Sequence, residues 1–254
     1  MTALDALPVW ATAALLFVLL VLACEAGVRL NRGPDDSETH EEGYLVSAAL
    51  GLLALLLGFT FSLALDRYEQ RRELVVSEAS AIGTAWLRAD ILPAEAAAAL
   101  RVGLVDYAET RLAMARAGED RAAVARLDTR VMRLQRMLWR GAVVPATTVA
   151  DAPAGAAVLD ALTDLFAETD KRQAALAARI PLRAVTVLGL YAIITASILG
   201  YAVGRGQSNH RLATSALFAL LALTCGLILD LDRPRSGAII VSQAPLAEVR
   251  AMMR

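Results

Sequence analysis

The side chains able to do chemistry are few in this sequence, and their spacing suits little of it. His40 sits in an acidic stretch and His210 between two apolar runs; neither has a Cys, Asp or Glu at metal-ligand spacing on a regular element, so both read as surface histidines. The acids Asp35, Asp36, Glu38, Glu41 and Glu42 are of a type that attracts cations, and a solvated loop accounts for them equally well. Cys24 and Cys225 lie inside apolar runs, as small packing residues do, which speaks against a disulfide framework or a thiolate metal site. No Gly-rich loop follows a strand pattern, no nucleophile elbow is present, and the one lysine, Lys171, belongs to no phosphate-binding motif. The expectation is a protein that is not an enzyme and holds no cofactor and no metal. A net charge of -1 points away from a nucleic-acid partner and from a polybasic membrane tail.

Polar groups inside apolar runs say more, because in lipid they are costly unless paired or facing a cavity. One run ends Gly58-Phe59-Thr60-Phe61-Ser62 and is followed, after Leu-Ala-Leu, by Asp66-Arg67-Tyr68. On a helix, Gly51, Leu55, Phe59 and Ser62 share one face, a narrow line of small, apolar and hydroxyl groups. Such a line suits the wall of a pore, or a helix packed among neighbours. Thr195, Ser197, Thr214, Ser215 and Thr224 lie in other runs, where each hydroxyl is able to bond back to the preceding turn.

Four elements must position these groups, and composition predicts what they are. The chain is 57% apolar with a mean hydropathy of +0.52, yet only 5% aromatic, a vocabulary of Ala, Leu and Val that belongs to helices. Four stretches reach the roughly 20 residues that a helix needs to cross a bilayer core. Only a helix satisfies its own backbone there, short of a closed barrel. The division expected is 1–30 for the N-terminus and first span, 31–43 for an acidic external loop, 44–66 for the second span and 67–182 for a cytoplasmic domain. The third span follows at 183–204, a short external loop at 205–211, the fourth span at 212–231 and a cytoplasmic tail at 232–254. The first span is read as retained, since no basic residue precedes it and Ala-Cys-Glu-Ala-Gly is a poor cleavage site. Arginine-rich flanks at Arg67, Arg71, Arg72, Arg172, Arg179, Arg183, Arg233 and Arg235 place both termini and the middle domain inside.

The middle domain reads as helical throughout. The second span runs on past the membrane until Pro93, and a new helix starts at Pro93-Ala94-Glu95. Leu100, Leu104, Ala108 and Leu112 form one stripe; Val124, Leu127, Val131, Leu134 and Leu138 form another at three-four spacing, as helix packing requires. Residues 141–155, with Pro145 and Pro153, are expected to be a loop. A last helix through Val158, Leu162, Leu165, Phe166, Leu176 and Ile180 is expected to lead into the third span. There Ala192, Ala196, Gly200 and Gly204 make a small-residue stripe for close approach of another helix.

Leu56-Leu57-Gly58-Phe59, a gap of six residues, and Asp66-Arg67-Tyr68-Glu69 resemble the second transmembrane helix of bacterial bestrophins. The stretch Leu229-Asp230-Leu231-Asp232-Arg233-Pro234-Arg235-Ser236-Gly237 is similar to the acidic Pro-Gly stretch after their last span. The whole chain, including Val75 to Pro93, resembles the bacterial bestrophin-like family. That resemblance implies an all-α membrane protein with four transmembrane helices in a 2+2 arrangement around a cytoplasmic helical bundle. It implies a homopentamer in the bacterial inner membrane, with the second span lining the pore and a neck at Gly51, Leu55 and Phe59, and Ser62 next along that face. An apolar neck gates by dewetting. The function implied is an ion channel passing inorganic anions, with chloride as the candidate. Where animal bestrophins clasp calcium, Arg233 and Arg235 interrupt the acids, so no calcium site is expected. Asp66 and Arg67 lie at the same depth as Asp230, Asp232 and Arg233, and are expected to pair across helices. The alternative is a non-conducting membrane scaffold or sensor whose helical domain binds a protein partner. A stator-like proton conductor fits less well, because no carboxylate lies in the middle of a span.

Overall fold

A computed structural model of the chain describes residues 8–31, 39–203 and 210–253, with the side chains of residues 39–42 and 210 outside the description. Most of the acidic loop, Gly204, Arg205 and the side chains of His40 and His210 therefore lie outside the described residues. Among the described residues every regular element is helical: α1 (Val9–Leu30), α2 (Thr39–Arg88), a single 3-10 turn (Ala89–Ile91), α3 (Ala94–Arg116), α4 (Arg121–Thr147), α5 (Ala152–Ala177), α6 (Leu182–Val203), α7 (His210–Asp232) and α8 (Ala244–Met252). Four stretches, in α1, α2, α6 and α7, are long and apolar enough to cross a membrane. The chain forms two compact units, one from Met1–Arg67 with Arg179–Arg233, the other from Tyr68–Ala178 with Pro234–Arg254.

In the first unit α1 packs on α6 and α7. Gly27 and Gly200 set the α1–α6 crossing: a Cβ on Gly27 would stand 2.0 Å from the Ser197 carbonyl oxygen, and one on Gly200 2.0 Å from that of Cys24. The two helices meet backbone to backbone, which only glycine permits. Ala192 and Ala196 are buried on the same side of α6, and the stripe read from the sequence is this contact. Gly226 brings α7 within reach of Ala13 on α1. The Ser197 and Thr224 hydroxyls donate to Ile193 O and Leu220 O at 3.0 and 2.9 Å, each on its own preceding turn. Asn31, which ends α1, gives its side-chain amide to Tyr201 O on α6.

In the second unit the core is built from Val75 and Ile82 of α2, Leu104 and Tyr107 of α3, Leu134 and Leu138 of α4, Leu162 and Leu165 of α5, and Leu246 of α8. The three-four stripe on α4 is therefore the packed one. Asp120 starts that helix by accepting from Ala123 N at 2.9 Å, after a turn in which Gly118 takes a φ of 52°.

Two expectations are corrected. Residues 141–155 are not a loop: α4 continues through Pro145 to Thr147, and only residues 148–151 separate it from α5. Ala142 and Ala146 are buried in the core, and a proline in the last turn forfeits a single hydrogen bond, so packing outweighs the break. The Thr147 and Thr148 hydroxyls take up Val144 O and Pro145 O at 2.8 and 2.7 Å, which closes the helix. Pro153 falls in the first turn of α5, where its missing N–H costs nothing. A Cβ on Gly155 would lie 2.2 Å from Ala146 O, so this connection is tight. Second, α5 does not run on into the third span. It stops at Ala177, and α6 starts at Leu182 after Pro181, a residue that turns the one before it away from the helical region. Ile180, expected in the helix, instead donates its backbone N–H to Asp232 Oδ1 at 2.9 Å.

Candidate functional site

The 50-residue helix α2 presents the residues singled out for a pore wall. With spacings of four, four and three, Gly51, Leu55, Phe59 and Ser62 come round to one face, and the structure leaves all four exposed. Leu55 is 53% and Phe59 67% exposed, while Leu53 and Leu57 on the opposite face are 2% and 8%. A Cβ on Gly51 or Gly58 would meet nothing within 4 Å. The face is broader than the sequence reading gave it. Ser47, Ala54 and Gly58 are exposed along it too, so its small residues recur at 47, 51, 54, 58 and 62. Other exposed surfaces of this unit carry large aliphatics, such as Leu15, Val18, Leu19 and Leu22 on α1 and Leu220 and Leu223 on α7. The α2 face is richer in small residues, although besides Leu55 and Phe59 it carries Tyr44 at its start and has Leu52 and Leu63 exposed along its margin. Thr60, beside it, returns its hydroxyl to Leu56 O at 2.7 Å.

One turn beyond Ser62, Asp66 is exposed on the same face. Arg67 points elsewhere: its Nη1 stands 3.9 Å from Asp232 Oδ1, the oxygen that also holds Ile180 N. Asp232 thus ties the end of α7 to the start of α6 and to α2. Asp230 is buried, and its carbonyl accepts from Arg233 N at 3.1 Å. Of the five charges read as a boundary cluster, the structure brings Arg67 and Asp232 together and leaves Asp66 facing outward.

The second unit holds a charged centre that the sequence reading missed. Glu78 is 0% exposed. Arg111 of α3 reaches it with Nε at 2.5 Å and Nη2 at 3.1 Å, and Arg172 of α5 bonds its other side. Arg172 also donates to Gln243 of the tail at 2.6 Å, and the Tyr107 hydroxyl and Thr169 hydroxyl bond each other at 2.5 Å beside the pair. Burial pushes the Glu78 carboxyl up, but the guanidiniums of Arg111 and Arg172 outweigh it and hold the group below the ordinary carboxylate range. Burial, then the Glu78 charge, raise the Tyr107 hydroxyl to about 12. Burial and the nearness of Arg111 lower Arg172. These residues interlock α2, α3, α5 and the tail; no group of three His, Cys, Asp or Glu able to hold a metal occurs among the described residues. The signal was present in the spacing, since Glu78 falls on the stripe Val75, Ile82, Ala85, Ala89, and Arg111 on that of Leu104, Tyr107, Ala108 and Met114.

Comparison with known proteins agrees with this architecture. The family described as bestrophin-like domain matches residues 12–246. Among solved structures, a variant of a bacterial bestrophin homologue from Klebsiella pneumoniae is similar with a TM-score of 0.70 at 17% identity, over 94% of this chain and 96% of that one. Another structure of a bacterial bestrophin homologue from the same organism gives 0.66 at 18%, over 95% and 94%. No curated protein matches.

Proposed function

The chain belongs to the bestrophin-like family, and from that premise we propose that it is an ion channel. Five copies surround a central pore in a bacterial inner membrane, both termini are cytoplasmic, and α2 lines the pore. The observation that supports this reading is the exposed α2 face, on which small residues at 47, 51, 54, 58 and 62 surround Leu55 and Phe59. Repeated around an axis, those two side chains, a turn apart, make an apolar neck that dewets when narrow and conducts when widened, while Gly51 leaves the outer end open. Such a neck carries no charge preference of its own. The family resemblance favours anions, with chloride as the candidate. Asp66 favours a second reading, because a ring of exposed carboxylates one turn inside Ser62 selects cations.

The test is conductance of purified protein in planar bilayers under a KCl gradient, comparing the natural protein with Phe59→Ala and Asp66→Asn. Single-channel steps enlarged by Phe59→Ala are expected. The reversal potential gives the sign of the ion, and a shift of it by Asp66→Asn would assign selectivity to that ring. Silence from well-folded oligomers of all three would sink the channel and leave the scaffold or sensor.

A further inference from the structure

In the second unit α4 carries six arginines against a single acid, Asp128, so positive charge is concentrated on one helix of a chain that is nearly neutral overall. Beside it, between α4 and α5, lies an open groove of about 800 Å³, inside the roughly 300–1,000 Å³ of small-molecule sites. Its apolar surface comes from Met132, Trp139 and Phe166, and its charge from Arg136 and Arg140; no acidic residue lines it. Neither arginine meets a carboxylate among the described residues, whereas Arg130 on the same helix is paired with Asp106 at 2.5 Å. Arg136 is steadied by its own Nε, which donates to Met132 O at 3.3 Å and leaves both terminal nitrogens to an incoming group. Along α4 the lining spans Met132 to Arg140, about 12 Å at a rise of about 1.5 Å per residue. That length holds a small molecule and is short for a docked helix. Gln135, which also lines the groove, lies near the Tyr107 hydroxyl and so borders the buried Glu78 centre.

We propose that the α4–α5 groove binds a small organic carboxylate with an aromatic or other apolar body. The carboxylate sits in the forks of Arg136 and Arg140, where bidentate geometry is available, and the body lies against Trp139, Phe166 and Met132. This site is independent of the pore reading, since its occupancy is measured without conduction.

The experiment uses the full chain in nanodiscs of zwitterionic phosphatidylcholine, with Trp10→Phe and Trp86→Phe so that Trp139 is the sole indole. The probe is naphthalene-2-carboxylate, with the neutral naphthalene-2-carboxamide as its control. The expected result is a saturable change in Trp139 emission for the carboxylate, weakened at least tenfold for the amide and for Arg136→Gln/Arg140→Gln. Equal binding of acid and amide would overturn the proposal even if the arginine variant failed to fold. So would the absence of any saturable change, as when a neighbouring copy fills the groove in the assembled protein. Nanodiscs containing phosphatidylglycerol separate the remaining source: if they abolish probe binding, a lipid headgroup is the occupant and the soluble-ligand proposal falls.

Discussion

The two units of this chain are held together by opposite means. In the first, α1 and α6 meet where Gly27 and Gly200 have no side chains, and the contact is backbone against backbone. In the second, the centre is an ionised carboxylate gripped by two guanidiniums inside an aliphatic core. The contrast follows from the solvent each sequence is written for. Lipid tails are as apolar as leucine, so spanning helices gain little by hiding aliphatic side chains and more by approaching closely. A bundle in water gains by burial and has apolar area to spare, at about 25 cal/mol per Å². It tolerates a buried ion pair whose desolvation cost its Coulomb attraction barely offsets. What the ionic centre adds is specificity: Glu78 is satisfied only when α3 and α5 bring Arg111 and Arg172 together.

The sharpest way to break the comparison is to remove the carboxylate. Glu78→Ala leaves two buried guanidiniums facing each other, and a loss of about 3–5 kcal/mol in unfolding free energy is expected, read by chemical denaturation in detergent. Replacing all three ions by apolar residues (Glu78→Leu, Arg111→Met, Arg172→Met) is expected to cost less than Glu78→Ala alone; a larger cost would mean that the ions stabilise as well as specify. Because the Glu78 carboxyl is held below its ordinary range, its contribution is complete at neutral pH. It is lost only as pH falls beneath the ordinary carboxylate range and through the lowered value. Acid titration of the natural protein against Glu78→Gln should therefore diverge at neutral pH and converge at the acid end.

Next in size, Gly200→Leu drives a side chain into Cys24 O and is expected to cost about 1–3 kcal/mol or to separate α1 from α6. A lowered thermal midpoint with helix content retained would check this. Arg67→Ala removes a partly buried pair at 3.9 Å, and a loss of about 1 kcal/mol or less in unfolding free energy is expected, read as a small fall in the thermal midpoint. An unchanged midpoint and unchanged assembly would show that the Arg67–Asp232 pair does not lock the spans together. Smallest is Gly51→Ala: nothing stands within 4 Å of the added methyl, so a change within about 0.5 kcal/mol is expected. If unitary current falls while stability holds, glycine at 51 serves the face and not the fold.

The apolar spans were legible because a run of some 20 apolar residues declares itself without reference to any partner, and the glycine-alanine stripe on α6 was legible because small residues at four-residue spacing have few other uses. The errors came from prolines weighed by type alone. Pro145 lies among Ala142, Ala146 and Val144, two of them buried, and burial decided for helix; Pro181 lies where nothing opposes its break. Glu78 was missed because an isolated acid reads as surface, even on a stripe of apolar residues, and its partners are 33 and 94 residues away. The α2 face was legible as a spacing. What lies against it is a property of several chains, and one sequence specifies it only through kinship.

The sequence distance within the Glu78 centre also sets a timetable for biosynthesis. Arg172 follows its carboxylate by 94 residues, and at roughly 5–20 residues per second the ribosome takes on the order of ten seconds to supply it. Gln243 and the buried Leu246 come later still, after all four apolar stretches have been made. The nascent α2 is able to meet Arg111 after 33 residues, but its charged centre and its core stay incomplete until the tail arrives.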